Sequence, residues 1–234
     1  LGNQKLMQKF NIDISAVEAC ALELNKQAQT PMFMAVDATL AGIISVADAI
    51  KPDSKEAIQR MHEMGLKVVL LTGDNKVTAQ AVAQEVGISE VIAEVLPEDK
   101  ASTVAQLQAQ GEQVGMVGDG INDAPALARA HVGFAIGTGT DVAIESADVT
   151  LMKGSLHSVV DAISISQATV KNIKQNLFGA FIYNILGIPV AAGVLFPIMG
   201  ILLNPMVAGG AMALSSLTVV SNANRLRFFN PREK

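Results

Sequence analysis

The feature that most limits what this chain can become is a run of fifty residues, 175–224, without a single Asp, Glu, Lys, Arg or His. A helix that crosses a membrane needs about 20 consecutive apolar residues. The run therefore has room for two spans and a turn, and Pro197 and the pair Asn204-Pro205 mark where the chain reverses. The spans are expected near residues 177–196 and 207–220. Lys171 and Lys174 precede the first and Arg225 and Arg227 follow the second, while the connecting segment carries neither Lys nor Arg. The positive-inside tendency then puts both ends of the hairpin in the cytoplasm, beside the lipid bilayer the spans require.

Outside that run the charge is ordinary. The net charge of −5 over 234 residues gives no basic stripe, so no nucleic-acid partner is expected. Cys20 is the one cysteine, which excludes an internal disulfide framework and a Cys-rich metal site. It is expected to be buried in a helix, since a free Cys packs as a small hydrophobe. The chain opens with Leu1 and Gly2, without a charged segment leading to an apolar one, so a signal peptide is not predicted and a piece of a longer protein is.

Residues 1–46 read as α+β. A helix over 15–27 would carry Val17, Cys20, Ala21 and Leu24, and apolar runs 31–36 and 40–46 flank Asp37-Ala38-Thr39 like a hairpin. A segment this small buries little core alone, and we read it as the tail of a domain that starts elsewhere. Residues 47–161 alternate instead: helices over 54–64, 77–86, 100–110, 124–130 and 141–146, strands over 67–71, 91–92, 113–117, 132–136 and 149–151. That alternation predicts an α/β domain, a parallel sheet with helices on both faces. A helical pattern over 156–176 leads into the apolar run, so 162–234 is the expected membrane region.

Open α/β sheets bind ligands beyond the C-terminal ends of their strands. Three polar clusters fall there: Thr72-Gly73-Asp74-Asn75, Pro97-Glu98-Asp99-Lys100, and Gly118-Asp119-Gly120-Ile121-Asn122-Asp123. Phosphoryl transfer is mainly positioning and charge neutralisation, and each cluster suits it. Thr72, Gly73 and Asp74 supply a hydroxyl, a close backbone and a carboxylate. Lys100 supplies a compact cation. Asp119 offers hard oxygen to Mg²⁺, which takes one or two carboxylates plus phosphate and water, and Asn122 and Asp123 can orient the ion or the phosphoryl group. Taken singly, each cluster also reads as an ordinary turn.

In this order and spacing, LLTGDN, LPEDK and MVGDGINDAPAL resemble the phosphorylation domain of P-type ATPases, within the haloacid-dehalogenase-like superfamily. The run IGTGTDVAIESADVTLM is similar to the segment that leads to the membrane in that family, and Asp48 in VADAIKPDS resembles its interdomain hinge. The resemblance implies that residues 1–46 are the end of a nucleotide-binding domain, with Gly2 and Asn3 at ATP. It implies an aspartyl-phosphate on a DKTGT segment, which does not occur in this chain, so the chain alone is not expected to phosphorylate itself. Two rivals stand beside this. A membrane-anchored phosphatase of the same superfamily would use Asp48 as nucleophile, but its acid/base Asp two residues on is Ile50 here. A truncated chain acting as a regulatory or binding partner is the other.

Polar residues inside a span are functional by default. The first span holds Tyr183 and Asn184, and the second holds Met212, Ser215 and Ser216 at helical i, i+3, i+4 spacing. Thioether ligands select Cu(I), and the spans have no carboxylate to balance a hard divalent ion. The YN pair and the MxxSS pattern are similar to those of the Cu(I)-transporting subgroup of heavy-metal P-type ATPases. That resemblance implies Tyr183, Asn184, Met212 and Ser216 at a Cu(I) site, Ag(I) as the alternative cargo, and delivery by a copper chaperone. It places a Cys-Pro-Cys pair on a helix in the N-terminal part of the pump, outside this chain, and implies a multi-pass protein of the cell membrane.

Overall fold

The computed structural model describes residues 1–47, 49–119, 121–137, 141–200 and 204–232, which fall into two units, Leu1–Val160 and Asp161–Lys234. The first unit opens with helices α1 (Gln4–Lys9) and α2 (Ser15–Lys26) and an antiparallel hairpin of β1 (Thr30–Val36) and β2 (Thr39–Val46). The hairpin turns through Asp37 and Ala38, at φ 48° and 59°. Two left-handed residues in succession let a tight turn match the twist of its strands. Met7, Ile14, Ala21 and Phe33 form a small buried cluster against it. Cys20, expected to be buried, is exposed. Neighbouring positions on a helix point about 100° apart, and α2 turns Ala21 to the cluster instead.

The alternating segment follows the predicted order: α3 (Ser54–Glu63), β3 (Val69–Leu71), α4 (Lys76–Val86), β4 (Glu90–Ile92), α5 (Lys100–Ala109), β5 (Gly115–Gly118), α6 (Ala124–Arg129), β6 (Val132–Ile136), α7 (Asp141–Glu145) and β7 (Val149–Leu151). All its strand pairs are parallel. They form two sheets among the described residues, β3-β4 and β5-β6-β7, where the sequence pattern predicts one. The strands are three to five residues long, and no described strand lies between β3 and β5 to join the sheets. Ala126, Leu127 and Ala135 are fully buried, so α6 is packed closely on β6.

Two polar knots fasten this unit. Asn75 caps α4, its Oδ1 accepting the N–H groups of Val77 and Thr78 at 3.1 and 3.0 Å. Its Nδ2 donates to Asn25 Oδ1 on α2 at 3.0 Å and to Thr78 Oγ1 at 2.9 Å. Thr78 is buried and donates its own hydroxyl to Asn25 at 3.1 Å, so the N-terminal α+β part is tied to α4. The second knot joins the start of α3 to the segment after β7. Ser155 donates to Asp53, and Lys51 Nζ donates to the Gly154 carbonyl at 2.6 Å. The Ser155 hydrogen bond holds the Asp53 carboxyl below the usual carboxylate range.

α8 runs unbroken from His157 to Ala191, 35 residues, and so merges the helix expected over 156–176 with the apolar stretch behind it. It ends inside the first predicted span, 177–196, at Ala191: Gly193 adopts φ 86° and a four-residue helix α9 (Phe196–Met199) follows. α10 (Pro205–Asn224) is longer than the predicted 207–220. Asn204 caps it, accepting from the Met206 N–H at 2.9 Å, and Pro205 takes the first helical position, where a missing N–H costs nothing. Among the described helices one stretch, Pro205–Phe228, is long and apolar enough to cross a membrane. The end of α8 is diluted by Asn176, Tyr183, Asn184 and Pro189.

Candidate functional site

The site is built on the C-terminal ends of β3 and β5. After β3 the chain turns through Thr72, Gly73 and Asp74. Thr72 Oγ1 accepts the Asp74 N–H at 3.1 Å and donates to Asp74 Oδ2 at 2.9 Å, so the hydroxyl and the carboxylate hold each other. The turn is stitched to the segment after β4: Thr72 N–H donates to Ile92 O, Val95 N–H to Thr72 O, and Glu94 N–H to Asp74 O, at 3.0, 3.1 and 2.9 Å. Gly73 passes close to that segment, where a Cβ would lie 3.3 Å from Val95 O. Glu94 itself adopts φ 59°, a conformation costly for a residue with a side chain.

Two residues beyond Val95, a 3₁₀ turn (Pro97–Asp99) delivers Lys100 as the first residue of α5. It packs on a second 3₁₀ turn (Ile121–Asp123), which follows β5 and leads into α6. Across this contact Lys100 Nζ meets Asp123 Oδ1 at 2.7 Å, with the two side chains 17% and 13% exposed. Gly118 makes the geometry possible. A Cβ there would fall 2.7 Å from Asp123 Cβ and 2.9 Å from its Oδ2, so only a glycine lets the carboxylate lie over the end of β5. Asp119 and Asn122 lie beside this pair and are exposed.

The structure thus joins Lys100, Asp123 and Gly118 directly. It links Thr72, Gly73 and Asp74 to the Lys100 turn through residues 92–95. Asp48 and Gly120 lie outside the described residues. Among the described residues no three His, Cys, Asp or Glu side chains gather as a metal site. Mg²⁺ needs fewer protein ligands when phosphate and water complete its shell, and the exposed Asp119 suits that role. No described hydrogen bond joins Gly2 or Asn3 to these clusters. Gly2 forms a bridge with Phe33, and Asn3 caps α1, its Oδ1 accepting the Leu6 N–H at 3.0 Å.

In the second unit Tyr183 is half-buried, and Asn184 and Met212 are exposed. Asn184 Nδ2 donates to the Ala180 carbonyl at 3.1 Å, and Ser216 Oγ to the Met212 carbonyl at 3.2 Å. Both polar groups are thereby satisfied within their own helices, the usual solution in apolar surroundings. The sequence reading missed Asn25, Thr78 and Ser155, which act at long range. Asn75 lay within the first cluster, and its cap position was the signal.

The family model described as haloacid dehalogenase-like hydrolase matches residues 1–131. The chain is 56% identical over 228 residues to the copper-exporting P-type ATPase of Vibrio cholerae, covering 97% of this chain and 25% of that protein. It is 51% identical to the silver exporting P-type ATPase of Salmonella typhimurium, covering 97% of this chain and 28% of that protein. The crystal structure of a zinc-transporting PIB-type ATPase in its E2.Pi state superposes with a TM-score of 0.73 at 36% identity, covering 92% of this chain and 34% of the other. The chain spans about a quarter to a third of the length of these relatives.

Proposed function

The chain belongs to the haloacid dehalogenase-like hydrolase family, and from that premise we propose that it is part of an ATP-driven pump exporting Cu(I), with Ag(I) as the alternative cargo. The observation that carries the reading is the Lys100–Asp123 pair at 2.7 Å, set at the end of a parallel strand and linked to the Thr72 turn. In this reading Thr72, Gly73, Asp74 and Lys100 stabilise a phosphoryl group in transfer to an aspartate outside this chain. Lys100 brings positive charge, and the Gly73 backbone allows close approach. Mg²⁺ would be held by Asp119 with Asp123 beside it, and would neutralise phosphoryl oxygens. Asn122 would orient the group, and Gly2 and Asn3 would border ATP.

Residues 1–46 would end the nucleotide-binding domain, 47–161 would be the phosphorylation domain, and 162–234 would lie in the cell membrane. Both ends of the hairpin would be cytoplasmic, and a copper chaperone would supply the ion. Tyr183, Asn184, Met212 and Ser216 would supply or shape the ion site. The relatives in Vibrio and Salmonella are named for copper and silver, and the structural neighbour for zinc. Residues 175–224 carry no carboxylate to balance a divalent ion, which favours the soft monovalent cargo.

The test is phosphoenzyme formation from Mg-ATP by the full-length pump. It should form with Cu(I) and not with Zn(II), and Asp119→Ala should abolish it. Formation with Zn(II) alone would remove the soft-ion reading, and an unimpaired Asp119→Ala enzyme would remove the assignment of the site.

A further inference from the structure

Three asparagines bridge α8 and α10. Asn172 Nδ2 donates to the backbone carbonyl of Asn222 at 2.8 Å. Asn222 Nδ2 donates to Asn176 Oδ1 at 2.9 Å, and Asn176 Nδ2 donates to Asn172 Oδ1 at 3.1 Å, which closes a ring of hydrogen bonds. Arg225 Nη1 donates to Asn222 Oδ1 at 3.1 Å from the following turn. Asn172 is 7% exposed, in a unit whose large apolar side chains mostly face outward. A buried amide that loses its partner keeps the cost of its lost hydration with nothing against it, so the ring tolerates one alignment of the helices and resists the next. Apolar contacts slide past one another easily, so a polar ring between α8 and α10 is able to fix their register, alongside the more exposed Arg232–Asp161 pair at the end of the unit.

A second contact reports the same register. A Cβ built on Gly179 would lie 3.8 Å from Thr218 Cγ2, an ordinary contact, so the bare backbone of α8 faces α10 there. The helices run antiparallel, since later residues of α8 meet earlier residues of α10. Each rises about 1.5 Å per residue. From Gly179 to Asn184 is a climb of about 7.5 Å along α8, and from Thr218 back to Met212 is about 9 Å along α10. The two residues therefore lie at nearly the same height along the helix pair.

We propose that Asn172, Asn176 and Asn222 form a clasp that sets the register of α8 against α10 and so holds Asn184 level with Met212. A slip by one helical turn would move the two apart by about 5.4 Å, more than a shared ligand sphere allows. The clasp residues are positioning residues, touching neither ion nor phosphate. Their functional consequence rests on the reading of Asn184 and Met212 as ion ligands, and the register itself does not.

The experiment has two arms on the full-length pump. In the first, Asn184→Cys with Met212→Cys is treated with bis-methanethiosulfonate reagents of increasing spacer length, and the linked peptides are read by mass spectrometry against both single-cysteine controls. The pair should link, and adding Asn222→Leu or Asn176→Leu should cut the yield at least fivefold, while Asn172→Ser, which keeps a donor, should retain most of it. In the second arm, with Asn184 and Met212 intact, Asn222→Leu should raise the Cu(I) concentration for half-maximal phosphoenzyme at least tenfold and leave the maximum level unchanged. A link indifferent to Asn222→Leu and Asn176→Leu overturns the clasp. A link lost while the Cu(I) dependence stays the same upholds the clasp and overturns the assignment of Asn184 and Met212 as ion ligands.

Discussion

Gly118→Ala tests the geometry of the site with a single methyl group. The new Cβ would sit 2.7 Å from Asp123 Cβ and 2.9 Å from Oδ2. Non-bonded carbons settle at about 3.5–4.0 Å, so about 1 Å must be found. β5 cannot supply it, because Gly118 is paired with Ala135, which is fully buried. Asp123 has to move, and its Oδ1 leaves Lys100 Nζ. Overpacking of this kind costs about 1–3 kcal/mol. Parting a largely buried ion pair adds about 1–2 kcal/mol, less than for a fully enclosed pair because the side chains keep 17% and 13% exposure. A total of about 2–5 kcal/mol lowers the unfolding midpoint by about 4–20 °C for a protein of this size. The control lies three residues away on the same strand. A Cβ on Gly115 would lie 3.6 Å from Phe134 Cε2, an ordinary contact. Gly115→Ala should therefore be neutral, or stabilising by up to about 1 kcal/mol through the lost freedom of the unfolded chain. Thermal unfolding of both variants in detergent, followed by circular dichroism, reads the difference, and the full-length Gly118→Ala pump should also lose phosphoenzyme. Equal midpoints for the two variants would refute the reasoning.

Three further outcomes follow from the same structure. Ala38→Gly should raise stability by about 0.5–1 kcal/mol, because a left-handed alanine costs about 1–2 kcal/mol and glycine returns part of that as entropy; a lower unfolding midpoint would refute it. Thr78→Val keeps the shape of the buried side chain but removes its hydrogen bonds with Asn25 and Asn75, which keep each other as partners, so it should cost about 0.5–1.5 kcal/mol, measured by thermal unfolding. Asp53 has a folded pKa below its unfolded one, so its hydrogen bond from Ser155 contributes stability above the unfolded value of about 3.9, and that contribution is lost as pH falls through the lower folded value. The gap in unfolding midpoint between wild type and Asp53→Asn should accordingly be full near neutral pH and close below about pH 4; a gap constant with pH would contradict this.

How much could be seen beforehand depended on the range of the interaction. Helix and strand order from Ser54 onward followed from local periodicity and turn residues, which are sequence-adjacent causes. The three clusters were visible because strand ends are where an α/β sheet presents ligands. The division into two sheets was not visible, because three-residue strands carry no information about which neighbour they lack. Cys20 was misjudged because one turn of α2 has several apolar residues, and only tertiary packing decides that Ala21 faces inward. The asparagine ring joins positions 46 and 50 residues apart, beyond any periodic pattern. The end of α8 at Ala191 was hidden because apolar composition continues past it, while the backbone turns at Gly193.

The two separate sheets carry a practical consequence. β3 pairs only with β4 and β5 only with β6 among the described residues, so each keeps one flank of peptide N–H and carbonyl groups that no described strand covers. Such flanks template the addition of foreign strands. Handled as an isolated polypeptide, the chain should self-associate through these flanks as concentration rises, even in detergent that fully covers its apolar helices. A short peptide of strong β propensity supplied in excess should compete with that association.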